Sequence, residues 1–194
     1  MTPLSDKTQI VRLVCDALTA GDTNKASEIA RRDYPFAPQS ASKRSFSASA
    51  ATSVFLRDGF LDRYSGTQLV FPGVLRLLSR LLPAEFPAHP NWKMSESHMI
   101  YWELFPTVDH LIPIARGGTD TADNWITTSM VLNSAKSNWT LEELRWTLLP
   151  PGDSNCWDGL LRWFIEFISS SPEHLADNYI KTWHSAAKRV TNVA

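Results

Sequence analysis

Val108-Asp109-His110-Leu111-Ile112-Pro113-Ile114-Ala115-Arg116-Gly117-Gly118, then Asp123-Asn124-Trp125, then Val131-Leu132-Asn133-Ser134-Ala135-Lys136: the reading of this chain turns on these three blocks. An acidic residue and a histidine end a short apolar run. A Gly-Gly pair reverses the chain, and two asparagines and a lysine follow at set distances. Any one of these elements is commonplace, since Gly-Gly is an ordinary turn and asparagines cap helices and loops. Their order and spacing together carry the information.

The combination resembles the ββα-metal site of HNH endonucleases. In sequences of that kind the central asparagine lies 14 residues after the histidine and the final ligand 23 after it, the separations of Asn124 and Asn133 from His110. The resemblance covers about 30 residues strongly, Thr107 to Trp139. It implies an α+β fold with a ββα-metal core embedded in a mostly helical domain.

Phosphodiester hydrolysis needs an activated water, a cation to absorb charge on the phosphoryl oxygens, and groups that hold the phosphate in line. His110 is the candidate general base, because an imidazole can take a proton from water at cellular pH. Asp109 and Asn133 are the candidate metal ligands, and oxygen donors of this kind suit Mg²⁺ or Mn²⁺. Asn124 is expected to tie the loop 115–123 together and hold the His110 strand in place. Lys136 lies one helical turn beyond Asn133, where its ammonium would meet a phosphate oxygen. Arg116 in the loop is a second candidate phosphate contact. In a strand Asp109 and His110 would face opposite ways, so the site requires the strand to end there. A zinc-dependent variant with several histidines on the metal is disfavoured by Asn at position 133 and by the lack of a second His near Lys136.

A looser likeness extends to Arg57-Asp58-Gly59-Phe60-Leu61-Asp62-Arg63-Tyr64-Ser65-Gly66. Many HNH enzymes carry here an Arg-Asp-Gly segment leading into C-x-x-C-G, the first half of a structural zinc site. Asp62 and Ser65 stand in place of its two cysteines, and Ser129 and Leu132 fall where the second half would lie. These four cannot supply the soft, closed tetrahedron zinc needs. The expectation is no structural zinc, with Trp125, Trp139 and Trp146 as an aromatic core in its place.

Composition sets bounds on the rest. At 194 residues, 43% hydrophobic with eight Trp and nine Phe, the chain can build a real core. Cys15 and Cys156 lie far apart and suggest neither a disulfide nor a metal site. No apolar run approaches membrane-spanning length, and the first residues lack a signal-peptide layout, so no membrane association and a cytoplasmic location are expected. A net charge of -1 argues weakly against nucleic acid. The distribution answers this: Arg31 to Arg80 holds eight Lys/Arg against three Asp/Glu, while Trp92 to Thr147 holds four against seven. The flanks would grip a duplex while the acidic centre holds the cation.

Periodicity predicts helices over 6–20, with Ile10, Leu13, Val14 and Leu18 inward, and over Thr23–Arg32. Ala37–Ala51 reads as a polar connection and Gly66 as the turn of a hairpin between Phe60–Tyr64 and Gln68–Phe71. Further helices are expected from Val74 to Leu82, from Ser95 to about Leu104, from a capping box at Thr140 to Trp146, from near Cys156, and from Ser171 towards Val190. His98 reads as a packing or surface residue, and His174 and His184 as surface positions. The implied organisation is N-terminal helices and connection (1–51), an HNH core (52–147) and C-terminal helices (148–194) packed on the core or on a second copy. The expected activity is metal-dependent DNA cleavage, with a restriction or defence role. The alternative is a non-catalytic nucleic-acid-binding module on the same scaffold.

Overall fold

The computed structural model describes residues 7–36 and 46–191. The chain divides into two compact units, Met1–Ser40 and Ala41–Ala194. Among the described residues the architecture is α+β and mostly helical, with one small antiparallel sheet. No described helix is long and apolar enough to cross a membrane.

The first unit is a helical hairpin of α1 (Lys7–Thr19) and α2 (Thr23–Asp33). Gly21 makes the turn at φ +77°, and the Asp22 carboxylate caps α2 by accepting from Lys25 N–H. Ile10, Ala17, Ala26 and Ile29 are buried between the helices. Leu13 and Leu18 are exposed, because the buried face of α1 is formed by Ile10, Val14 and Ala17.

In the second unit, α3 (Ala48–Arg57), α4 (Pro72–Leu81), α5 (Ile100–Glu103), β1 (Pro106–His110), β2 (Trp125–Ser129), α6 (Met130–Lys136), α7 (Leu141–Leu144), α8 (Leu161–Ser170) and α9 (Asn178–Thr191) follow in order. Helices α3, α4, α8 and α9 enclose the main core, in which Phe55, Phe60, Phe71, Leu77 and Phe164 are almost wholly buried. The ring of Phe71 lies 5.2 Å from Phe164 and 5.5 Å from Trp183. The segment 148–194 is thus part of the same unit as the motif, with α9 against α3 and α4.

Several boundaries differ from those the sequence suggests, each for a local reason. Residues 37–45 of the expected polar connection lie outside the described residues. Its end is not a loop, because Ser47 caps α3 by accepting from Ala50 N–H and the helix starts at Ala48. The expected 60–71 hairpin is reduced to one bridge, Leu61 with Gln68, because Asp62 folds the intervening residues into a turn. The helix expected over 95–104 is split into a 3₁₀ turn (Met94–Glu96) and α5, with His98 Nδ1 accepting from Ile100 N–H between them. Helix α7 stops at Leu144, where Arg145 turns left-handed. Helix α8 starts only at Leu161, after a left-handed Leu160, and Ser171 opens a 3₁₀ turn rather than the last helix. His174 and His184 are half-buried, packed on Phe167 and Phe164.

The sheet is two strands in register, with Thr107 opposite Thr128, Asp109 opposite Ile126 and His110 opposite Trp125. Helix α6 follows β2 directly and packs on both strands, and α3 also contacts both. A two-stranded sheet leaves an unpaired edge, which must be satisfied elsewhere. On β2 this is done by residues 57–63. Asp58 accepts from Thr127 N–H and Asp62 from Ser129 N–H, while Arg63 N–H donates to Thr127 O and the Arg57 guanidinium to Trp125 O.

Candidate active site

Asp109 and His110 both lie within β1, so their side chains leave opposite faces of the sheet. The strand ends at His110, so both residues are still within it. On one face α6 runs alongside β1. Asn133 Nδ2 donates to Thr107 Oγ1 at 3.0 Å, and one turn further Lys136 Nζ meets Asp109 Oδ2 at 2.9 Å and donates to the His110 carbonyl at 2.8 Å. Lys136 is fully buried and Asp109 is 3% exposed. The expectation of a phosphate-facing Lys136 is therefore corrected: its ammonium points into the protein. It is Lys136, not Asn133, that directly contacts the Asp109 carboxylate.

Tyr64 completes this face. Its hydroxyl donates to Asp109 Oδ2 at 2.6 Å, and burial together with that carboxylate pushes the phenol far above its ordinary range. Its ring lies 5.3 Å from that of Trp146. Sequence reading gives Tyr64 no role, since nothing in the spacing of residue 64 links it to 109.

Among the described residues, no group of three or more His, Cys, Asp or Glu is placed to hold a metal ion. The hard oxygen donors available on this face are the Asp109 carboxylate and the Asn133 amide. They fit Mg²⁺ in kind, an ion that keeps several waters and needs few protein ligands. Lys136 already balances the Asp109 charge, so a cation and this ammonium compete for one carboxylate.

On the other face the His110 ring is 1% exposed. Its Nε2 lies 2.7 Å from Asp120 Oδ1. The Trp125 indole N–H, opposite it in the sheet, lies 3.0 Å from the same carboxylate oxygen and 3.2 Å from His110 Nε2. Phe46 covers this corner, 5.7 Å from the His110 ring and edge-on to Trp125 at 4.9 Å. Trp125 is thus engaged with the histidine rather than serving only as core. Neither Asp120 nor Phe46 was singled out by sequence reading, although Asp120 lies in the loop between His110 and Asn124.

That loop is held by Asn124, which is buried. Its Oδ1 accepts from Ile112 N–H, and its Nδ2 donates to Ile112 O and Thr119 O, all at 2.8 Å. Gly118 is required here, because a Cβ would run into the Ile112 carbonyl and approach the Asn124 amide. Arg116 does not reach outward as a free phosphate contact. It donates to Asn138 O and pairs with Glu143, stacking near Trp139.

The four positions compared with zinc ligands do meet in space. Asp62, wholly buried, accepts from Tyr64 N–H, Ser65 N–H and Thr128 Oγ1–H through Oδ1, and from Ser129 N–H through Oδ2. The Ser129 hydroxyl in turn caps α6 by accepting from Leu132 N–H. A buried carboxylate therefore joins these two segments. Of the expected aromatic substitute only Trp139 is corrected, being 46% exposed; Trp125 packs against the main core and Trp146 against Tyr64. Asp58 forms a second such hub, paired with Arg57 and Arg63. Of the basic excess expected to grip a duplex, Arg63 is mostly buried on Asp58, while Arg57, Arg76 and Arg80 pair with Asp58 and Asp177 yet keep partly exposed side chains.

No protein-family model, curated protein sequence or solved structure matches the chain.

Proposed function

We propose that this chain is a metal-dependent endonuclease of the HNH kind, cutting DNA by water attack to leave 5′-phosphate and 3′-hydroxyl ends. The observation that carries the reading is the order β1, loop, β2, α6, with Asp109 and His110 on β1, Asn124 clamping the loop and Asn133 on the helix packed against β1. His110 would accept the proton of the attacking water, and Asn124 keeps the loop that borders it in place. Asp109 and Asn133 are the residues that would hold Mg²⁺ or Mn²⁺. A bound divalent ion supplies Lewis-acid stabilisation of charge on the phosphoryl oxygens.

A second reading, a nucleic-acid-binding module without turnover, is favoured by the Lys136–Asp109 pair and by the burial of His110. Cleavage of supercoiled plasmid with Mg²⁺ or Mn²⁺, by wild type and His110→Ala, separates the two. The endonuclease reading expects cleavage by wild type and its loss in the variant. Equal cleavage by both proteins removes His110 from the chemistry. No cleavage of any DNA or RNA by wild type favours the binding module.

A further inference from the structure

We propose that Asp120 is the positioning residue for His110: it fixes the ring as the Nε2–H tautomer and leaves Nδ1 as the nitrogen that takes the proton. The part Nδ1 plays rests on the endonuclease reading; the assignment of the tautomer does not. The argument is one of hydrogen-bond sense. His110 Nε2 stands 2.7 Å from Asp120 Oδ1. A carboxylate only accepts, so a close contact of this kind requires a proton on Nε2. Were Nε2 bare, two lone pairs would face each other across that distance. The indole N–H of Trp125 can donate either to Asp120 Oδ1 at 3.0 Å or to Nε2 at 3.2 Å, and with a proton on Nε2 it is left to the carboxylate.

In the neutral ring Nδ1 then carries the lone pair. The hydrogen bonds of the ring among the described residues run through Nε2. In the proposed reaction the attacking water gives one proton to Nδ1 as its oxygen bonds to phosphorus; the bond from phosphorus to the 3′-oxygen breaks, the leaving 3′-oxygen takes a proton from solvent water, and Nε2 keeps its own proton. The imidazolium so formed lies beside the Asp120 carboxylate, which offsets the new charge without itself taking a proton, as in other carboxylate–histidine pairs. The Asp120 side chain is 55% exposed, so its carboxylate meets solvent as well as the ring. Its backbone is nonetheless held, since Asn124 Nδ2 binds the carbonyl of the preceding Thr119.

The tautomer is read directly, without turnover, from long-range ¹H–¹⁵N correlations of the neutral His110 ring. Wild type is expected to show the Nε2–H pattern. In Asp120→Ala the carboxylate is gone and the Trp125 N–H is left to donate to Nε2, so the pattern should shift to Nδ1–H. Trp125→Phe, which removes only the indole donor, should keep the wild-type pattern, and Asp120→Glu should restore it in part. In the cleavage assay Asp120→Ala should lower kcat by about 100-fold or more, the scale of a general-base contribution, with KM little changed. An Nδ1–H pattern in wild type, or an unchanged Nε2–H pattern in Asp120→Ala, overturns the proposal. Wild type that never cleaves while the tautomer shifts as described overturns the endonuclease reading instead, and leaves Asp120 as the residue that sets the ring.

Discussion

The Lys136 ammonium and the Asp109 carboxylate form an ion pair at 2.9 Å inside the protein, 0% and 3% exposed. Each would be costly to bury alone, and the Tyr64 hydroxyl and the His110 carbonyl satisfy further sites on the two charges. Removing one partner strands the other. Lys136→Met should therefore cost about 3–5 kcal/mol, as for other broken buried pairs. Lys136→Met with Asp109→Asn should recover more than half of that. Urea midpoints of the two variants against wild type check it; a single variant as stable as wild type would show that the pair is not buried.

Asp62 makes a comparable prediction through hydrogen bonds alone. It accepts from three backbone N–H groups and the Thr128 hydroxyl. At roughly 1–3 kcal/mol per stranded buried donor, Asp62→Ala should destabilise by about 4 kcal/mol. Asp62→Asn keeps one accepting oxygen and should cost about half as much. Denaturant melts of both variants give the comparison.

High pH probes Tyr64. Burial and the neighbouring Asp109 raise its folded-state pKa above the unfolded value. The native state then keeps a proton that the unfolded chain loses, so this contribution is fully present below about pH 10 and is lost as pH rises beyond it. Tyr179, raised to about 12 mainly by burial, acts in the same direction. Stability should fall along this alkaline limb, and Tyr64→Phe should make the fall shallower. Denaturation curves collected from neutral pH to about pH 12 test it, with an identical limb in the variant as the contrary result.

Phe46 packs against the His110 ring. Its ring covers a histidine that is 1% exposed. Phe46→Ala should speed carbethoxylation of His110 several-fold, read site by site by mass spectrometry. His174 and His184, packed on Phe167 and Phe164, are internal references and should not change. An unaltered rate at His110 would mean that another group closes the corner.

How much of this was legible in the chain depends on the range of the interaction. The capping box at Thr140 and the turn at Gly21 were readable because their partners lie within three or four residues. The asparagine clamp was expected in outline, since Asn124 ties a loop only 12 residues long. Asp58 and Asp62 reach strand β2 across 66 to 69 residues, and nothing in local spacing announces that. The direction in which Lys136 points is hidden from the sequence for the same reason. A helical position predicts which face a lysine lies on, but not that a carboxylate and a carbonyl already occupy that face.

By itself the sequence determined the residue types at the motif positions and their spacing, and its resemblance to HNH sites implied the order strand, Gly-Gly turn, strand and helix. Spacing and turn residues are short-range and encoded side by side. Only the tertiary structure decided what the motif residues touch: Asp109 with Lys136 and Tyr64, His110 with Asp120 under Phe46, and Asp62 across Ser129. A buried charge takes its partner from whatever the fold brings within about 3 Å, and that choice is made by packing, not by distance along the chain.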